Sequence, residues 1–227
     1  MADPPTFTVQ ESQAVNDIGT YMASYRCMVT IDDDGPHFLG SAILVQIHDA
    51  VYVATAGHLF DNPRHPSVSF RWGSGNDKEA VRVRDVCRPS SAGIDVAAAR
   101  LESCPRANAL PLDKVELNPA ADGSELWAIC GNTISGLHRN AQRRELTVQS
   151  QLLGLRPLAP NQWPKTERPA DVGRDLFARY LRSAVDPHGM SGAGIWRVCQ
   201  ALDGASLPTA PTQLIGIQSA TAESDWN

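Results

Sequence analysis

No run in the 227-residue sequence approaches the roughly 18 consecutive apolar residues that a membrane-spanning helix needs. The opening Met1-Ala-Asp-Pro-Pro has neither a basic segment nor an apolar core, so no signal peptide is expected. Positive charge is not in excess: 20 Lys and Arg face 25 Asp and Glu, a net charge of −5. A non-specific nucleic-acid binder needs the opposite balance. Five cysteines is an odd count, so a fully paired disulfide framework within the chain is ruled out. Cys27, Cys87, Cys104, Cys130 and Cys199 form no C-x-x-C and have no histidine at zinc spacing, so neither a metal nor a cofactor is expected. These absences together predict a cytoplasmic protein with reduced thiols and no nucleic-acid or membrane partner.

What is present is globular: 42% hydrophobic and 20% charged residues. Aromatics are only 6%, while 17 glycines and 16 prolines favour a turn-rich fold. Val15, Ile18, Met22 and Tyr25 make one apolar stripe at helical spacing, predicting a helical segment over residues 1–26. Strands are expected at 27–31, 38–45, 50–55, 67–72 and 80–86, from β-branched content and alternation. Asp32-Asp-Asp-Gly-Pro36 is a turn; its three aspartates read as a solvated hairpin tip, since no calcium-loop pattern follows. A Pro-, Asn- and Asp-rich stretch from Glu102 to Ala121 reads as the connection between two halves. Further strands are expected at 125–130, 145–149, 176–180, 194–198 and 213–218. Residues 152–175, with four prolines, are too long for a plain hairpin and read as a surface or cleft-shaping excursion. Short strands with no long helices between them argue for antiparallel barrels or a sandwich.

Three segments carry chemistry, in the order His, Asp, Ser: Thr55-Ala-Gly-His58 after a strand, Gly93-Ile-Asp95-Val-Ala, and Gly189-Met-Ser191-Gly-Ala-Gly194. Each alone has a bland reading as a strand end, a salt bridge or a turn. Together they meet the needs of acyl transfer by serine: a base for the hydroxyl proton, a carboxylate to orient that base, and backbone N–H donors for the oxyanion. Gly189 and Gly192 permit the backbone curl that would aim the Gly189 and Ser191 amides at one point.

In these segments the sequence resembles the chymotrypsin/trypsin-like serine peptidases. Gly40-Ser41-Ala-Ile-Leu-Val with Val-Ala-Thr-Ala-Gly-His58 is similar to that family's strand pair before the catalytic histidine. Leu214-Ile-Gly-Ile-Gln-Ser219 is similar to its cleft-lining strand. The resemblance implies an all-β fold of two antiparallel six-stranded-type barrels with the site in the cleft between them. It places the first barrel in 27–110, with His58 and Asp95, and the second in 111–227, with Ser191. It implies a serine endopeptidase acting through a His58-Asp95-Ser191 triad and an acyl-enzyme, with Gly189 and Ser191 forming the oxyanion hole. A protein or peptide substrate would pair with Ser219, Ala220 and Thr221 as an added strand. Ser219 would donate to Asp95, and Val185 and His188 would line the specificity pocket. An apolar base at Val185 would favour an uncharged side chain; the adjacent Asp186, if turned inward, would favour Arg or Lys.

The departures from the family shape the expectation. Leu39 and Leu59 stand where secreted members carry a disulfide. Met190 stands where members activated by cleavage have an aspartate, so activation by that route is not expected. Only seven residues follow Ala220, so the second barrel is expected to lack its last strand, leaving an edge for a regulatory protein or an additional domain to complete. The leading expectation is a regulated intracellular, bacterial protease with one dedicated protein substrate, such as a defence or signalling effector. The alternative is a protease-fold pseudoenzyme acting as a protein-binding module.

Overall fold

The apolar stripe at Val15, Ile18 and Met22 folds into helix α1 (Val9–Ser24) and is buried along with Ala14. Each such side chain contributes about 1.5–3 kcal/mol by leaving water. The computed structural model describes residues 9–32, 36–61, 64–73, 77–89, 94–117, 125–140, 145–163, 177–180, 188–198 and 213–219. No described helix is long and apolar enough to cross a membrane.

The first half forms β1 (Arg26–Asp32), β2 (Pro36–Ile47), β3 (Ala50–Ala56), β4 (Ser67–Trp72), β5 (Asp77–Arg82) and β6 (Val96–Leu101), hydrogen-bonded in the order β5-β4-β1-β2-β3-β6. The predicted strand at 80–86 is displaced: pairing runs over 77–82, and Val83–Asp85 is a 3-10 turn. The two ends of the order then meet. Cys87 N donates to Ala98 O at 2.7 Å and Ala98 N to Cys87 O at 2.9 Å. The Glu79 carboxylate adds to this by accepting from the backbone N–H groups of Glu102 and Ser103. Alternate residues Cys27, Val29 and Ile31 of β1 join Phe70, Trp72, Val53 and Leu101 in the core inside this barrel.

The second half forms β8 (Leu126–Asn140), β9 (Glu145–Pro157), β10 (Ala178–Tyr180), β11 (Gly194–Val198) and β12 (Gln213–Ile217), in the order β10-β9-β8-β11-β12. β8 is buried on both faces over Leu126–Cys130. Trp127 and Ile129 point into the second barrel, while Leu126, Ala128 and Cys130 pack with α1 and with Ile43 and Val45 of β2. Thus α1 belongs to the seam between the two halves. Residues 152–157, expected in an excursion, extend β9 instead.

The stretch from Glu102 is more than a linker. Its β7 (Leu110–Pro111) pairs in parallel with β2, and Leu110 is fully buried. Val115 bridges Leu214 in parallel, and Glu116 N donates to Leu214 O at 2.8 Å. The outer edge of β12 is therefore partly covered by the connection itself. Among the described residues the second sheet has five strands; whether a further strand closes it falls on residues outside the described ones.

The two segments at the Asp-rich turn and the cysteines also resolve locally. Asp32 closes β1 by accepting from Arg71 at 2.6 Å, Lys78 at 2.6 Å and Ser69 at 2.9 Å; residues 33–35 lie outside the described ones. Cys27, Cys104 and Cys130 are buried free thiols and Cys87 is an exposed one; Cys199 lies outside the described residues. Burial pushes the Cys27 thiol far up, and burial with nearby Glu79 and Asp77 raises Cys104 to about 11. Leu39 and Leu59 both pack onto the first-barrel core.

Candidate active site

β3 and β6 pair until Ala56 faces Val96, which sets the next residues, Gly57 and His58, beside Asp95. Gly57 N donates to Asp95 O at 3.2 Å. A Cβ on Gly57 would stand 2.9 Å from Asp95 Oδ1, so glycine lets the two chains approach this closely. The carboxylate then uses both oxygens on one residue. His58 N donates to Oδ1 at 2.7 Å, and His58 Nδ1 lies 2.6 Å from Oδ2. An ionised carboxylate only accepts, so Nδ1 is the nitrogen that donates to it, and in the neutral ring Nε2 is then the one with the lone pair. The pair is partly open to solvent, with 42% of the His58 and 35% of the Asp95 side chain exposed.

The nucleophile segment is a tight turn. Ala193 N donates to Met190 O at 2.7 Å, and Gly192 has φ +87° at the third position of that turn. Gly189 has φ +93°, so both glycines adopt backbone that other residues avoid. The Met190 side chain is fully buried with Trp127, Ile129, Ala193 and Ile215 in the second-barrel core. Gly192 N donates to Gln218 O at 2.7 Å and Gln218 N to Ala193 O at 2.9 Å, which ties the turn to the end of β12.

The turn also reaches across to the first barrel. Ser41 N on β2 donates to Ser191 O at 2.8 Å, and Thr55 Oγ1 on β3 donates to Ser41 O at 2.6 Å. Thr55 precedes His58 by three residues, so this chain of contacts brings the serine turn and the histidine turn to one place. No described hydrogen bond joins Ser191 Oγ to His58. Catalytic bonds in ligand-free enzymes are often long and tighten only around substrate.

Among the described residues, neither Gly189 N nor Ser191 N donates to any group. His188 O accepts from Ile134 N at 2.9 Å, and in a planar trans peptide the Gly189 N–H points the opposite way. The turn thus carries two backbone N–H groups, of Gly189 and Ser191, with no described acceptor.

The other predicted positions divide. His188 is exposed beside the turn and contributes its backbone carbonyl. Ser219 is half-buried just past β12, and no described hydrogen bond runs from it to Asp95. Val185, Ala220 and Thr221 lie outside the described residues. Asn132, whose backbone N donates to Ser41 Oγ at 2.8 Å, has no signal in the sequence, and Ser41 stands there only as part of the Gly40-Ser41 strand motif, with no role of its own. The available signal was a hydroxyl residue inside the otherwise apolar run Gly40-Ser-Ala-Ile-Leu-Val45.

Neither a protein-family model nor a curated protein matches the sequence. Solved structures do. Neuropsin, a serine protease from mouse brain, aligns at 16% identity and TM-score 0.53 over 87% of this chain and 82% of its own. Catalytically active tobacco etch virus protease complexed with product aligns at 15% identity and TM-score 0.50, over 88% and 69% of the two chains. A serine endoprotease from Yersinia pestis aligns at 14% identity and TM-score 0.51, over 96% of this chain and 60% of that one. At such identities the likeness is one of fold, and the chain has the two-barrel chymotrypsin-like fold of these proteases.

Proposed function

We propose that the chain is a serine endopeptidase that hydrolyses peptide bonds through Ser191, His58 and Asp95. The observation that carries this reading is the two-point hold of Asp95 on His58, which leaves Nε2 as an acceptor, on the same fold as a glycine-framed serine turn. In this reading Ser191 Oγ attacks the scissile carbonyl while His58 Nε2 takes its proton. Asp95 keeps the ring oriented and stabilises the imidazolium. The amides of Gly189 and Ser191 bind the oxygen that becomes negative. His58 then protonates the leaving amine, and water activated by the same base releases the acyl group from Ser191.

The substrate is a protein or peptide, laid along Ser219–Thr221 as an added strand. An intracellular setting is supported by the buried free thiols and by Leu39 and Leu59 packing where a disulfide would otherwise clasp the histidine turn.

A fluorophosphonate probe tests the assignment. The wild type should be labelled on Ser191, and Ser191→Ala should lose the label and all peptide turnover. Labelling that survives Ser191→Ala overturns the reading. A folded wild type that retains a protein partner yet shows no labelling and no turnover of a peptide library establishes a binding module instead.

A further inference from the structure

We propose that Ser41 is a positioning residue that locks the amide-donor turn in its open-handed form, and this rests on the endopeptidase reading. Ser41 is fully buried on β2, on the opposite barrel from the turn. All of its polar atoms are engaged. Its N donates to Ser191 O at 2.8 Å and its O accepts from Thr55 Oγ1 at 2.6 Å. Its Oγ accepts from Asn132 N at 2.8 Å. A hydroxyl has one proton to give, and two acceptors stand near it: Gly189 O at 3.0 Å and Asn132 O at 3.4 Å. The shorter contact makes the better bond, so the proton goes to Gly189 O.

The consequence follows from peptide planarity, since holding a carbonyl also fixes the N–H across the same bond. Four successive carbonyls of the turn are held. His188 O accepts from Ile134 N, Gly189 O from Ser41 Oγ, Met190 O from Ala193 N, and Ser191 O from Ser41 N. Ser41 supplies two of these four holds, and they flank Met190 on both sides. The Gly189 N–H sits on the first of these planes and the Ser191 N–H on the third; the third lies between the two planes Ser41 fixes, and the first adjoins one of them. A rotation that turned either donor inward would carry the carbonyl of its own plane off Ile134 N or Ala193 N, and the adjoining planes, held on Ser41, leave the backbone little freedom to absorb it. The buried Met190 side chain adds an apolar anchor from the second barrel. Two barrels thus grip one turn, and the grip needs no charge that proteolytic cleavage would have to create.

Removing the hydroxyl frees the Gly189–Met190 plane and orphans Asn132 N–H. Ser41→Ala should lower kcat for a peptide substrate about 10- to 100-fold, a smaller loss than deleting an oxyanion donor outright. KM should stay within about twofold, because ground-state contacts lie elsewhere. Affinity for a peptide aldehyde, which forms the tetrahedral oxyanion, should fall in parallel with kcat. Ser41→Cys keeps a weak donor of similar size and should fall between the two; it also carries the test if the alanine variant does not fold. A merely structural role would lower the melting temperature and leave kcat and aldehyde affinity of the folded fraction unchanged, and that result overturns the proposal. If wild-type turnover depends on Ser191 but is indifferent to Ser41, the positioning role falls and the endopeptidase reading stands. If the wild type has no turnover at all, both fall.

Discussion

Asp95 holds His58 twice, with Oδ1 2.7 Å from the backbone nitrogen and Oδ2 2.6 Å from Nδ1 of the ring. The backbone contact places the carboxylate, and the ring contact selects the tautomer. Because the first does not depend on the charge of the second oxygen, the geometry can survive a change that destroys the chemistry.

Asp95→Asn is therefore expected to fold with a nearly unchanged denaturation midpoint while kcat falls by about three to four orders of magnitude. The amide can offer its oxygen to His58 N, but its NH2 group would face Nδ1 and force the proton onto Nε2. Peptide turnover and urea denaturation measured on the same preparation check this. A variant that retains most of its turnover would remove Asp95 from the mechanism.

Among the described glycines, Gly192 has the least freedom to change. At φ +87°, a Cβ there would stand 1.9 Å from Ser41 O and 2.1 Å from Thr55 Oγ1. Gly192→Ala should cost at least about 3 kcal/mol, or prevent folding, since backbone strain and a clash with main chain add together. Gly73 provides the control. Its φ is +61°, but a Cβ would meet nothing nearer than Asp77 Oδ2 at 3.9 Å. Gly73→Ala should cost only about 1 kcal/mol, the strain without the clash. Urea midpoints of the two variants separate the two contributions.

Asp32 links stability to pH. Partial burial pushes its carboxyl up, but hydrogen bonds from Lys78, Arg71 and Ser69 outweigh that and hold it below the ordinary carboxylate range. A depressed folded-state value means that the unfolded chain binds the proton more readily. The stabilisation is then fully present above the unfolded value, about 4, and is lost as pH falls through the lower folded value. Wild type should exceed Asp32→Asn in stability at pH 7, and the gap should narrow steadily below about pH 4. Chemical denaturation at pH 7, 4 and 3 reads the gap directly; a gap independent of pH would show that the carboxylate charge contributes nothing.

The parts that were legible in sequence are those with a local cause. The stripe at Val15, Ile18 and Met22 has helical period, and α1 forms there. Apolar, β-branched runs mark β1 through β4, and their bounds agree with expectation to within a few residues. Residues 152–157 are hard to read as strand because the apolar Leu152, Leu153 and Leu155 run straight into a proline-rich stretch, whereas β9 carries on until Pro157. The stretch after Glu102 looked passive because Leu110 pairs in parallel with Val45, and a two-residue strand leaves no periodic trace.

The order His58, Asp95, Ser191 and the glycines around them are determined by the sequence itself, because each chemistry needs a residue type and each tight turn needs a missing Cβ. The sequence also determined that position 190 carries an apolar methionine. Only the tertiary structure decided that Asp95 would spend both oxygens on His58, through the register of β3 and β6. It alone decided that Ser41 would reach Gly189, 148 positions along the chain, and hold the carbonyls on either side of Met190. Hydrogen bonds of that separation arise where two barrels pack, and no local pattern of residues encodes which buried hydroxyl will face which carbonyl.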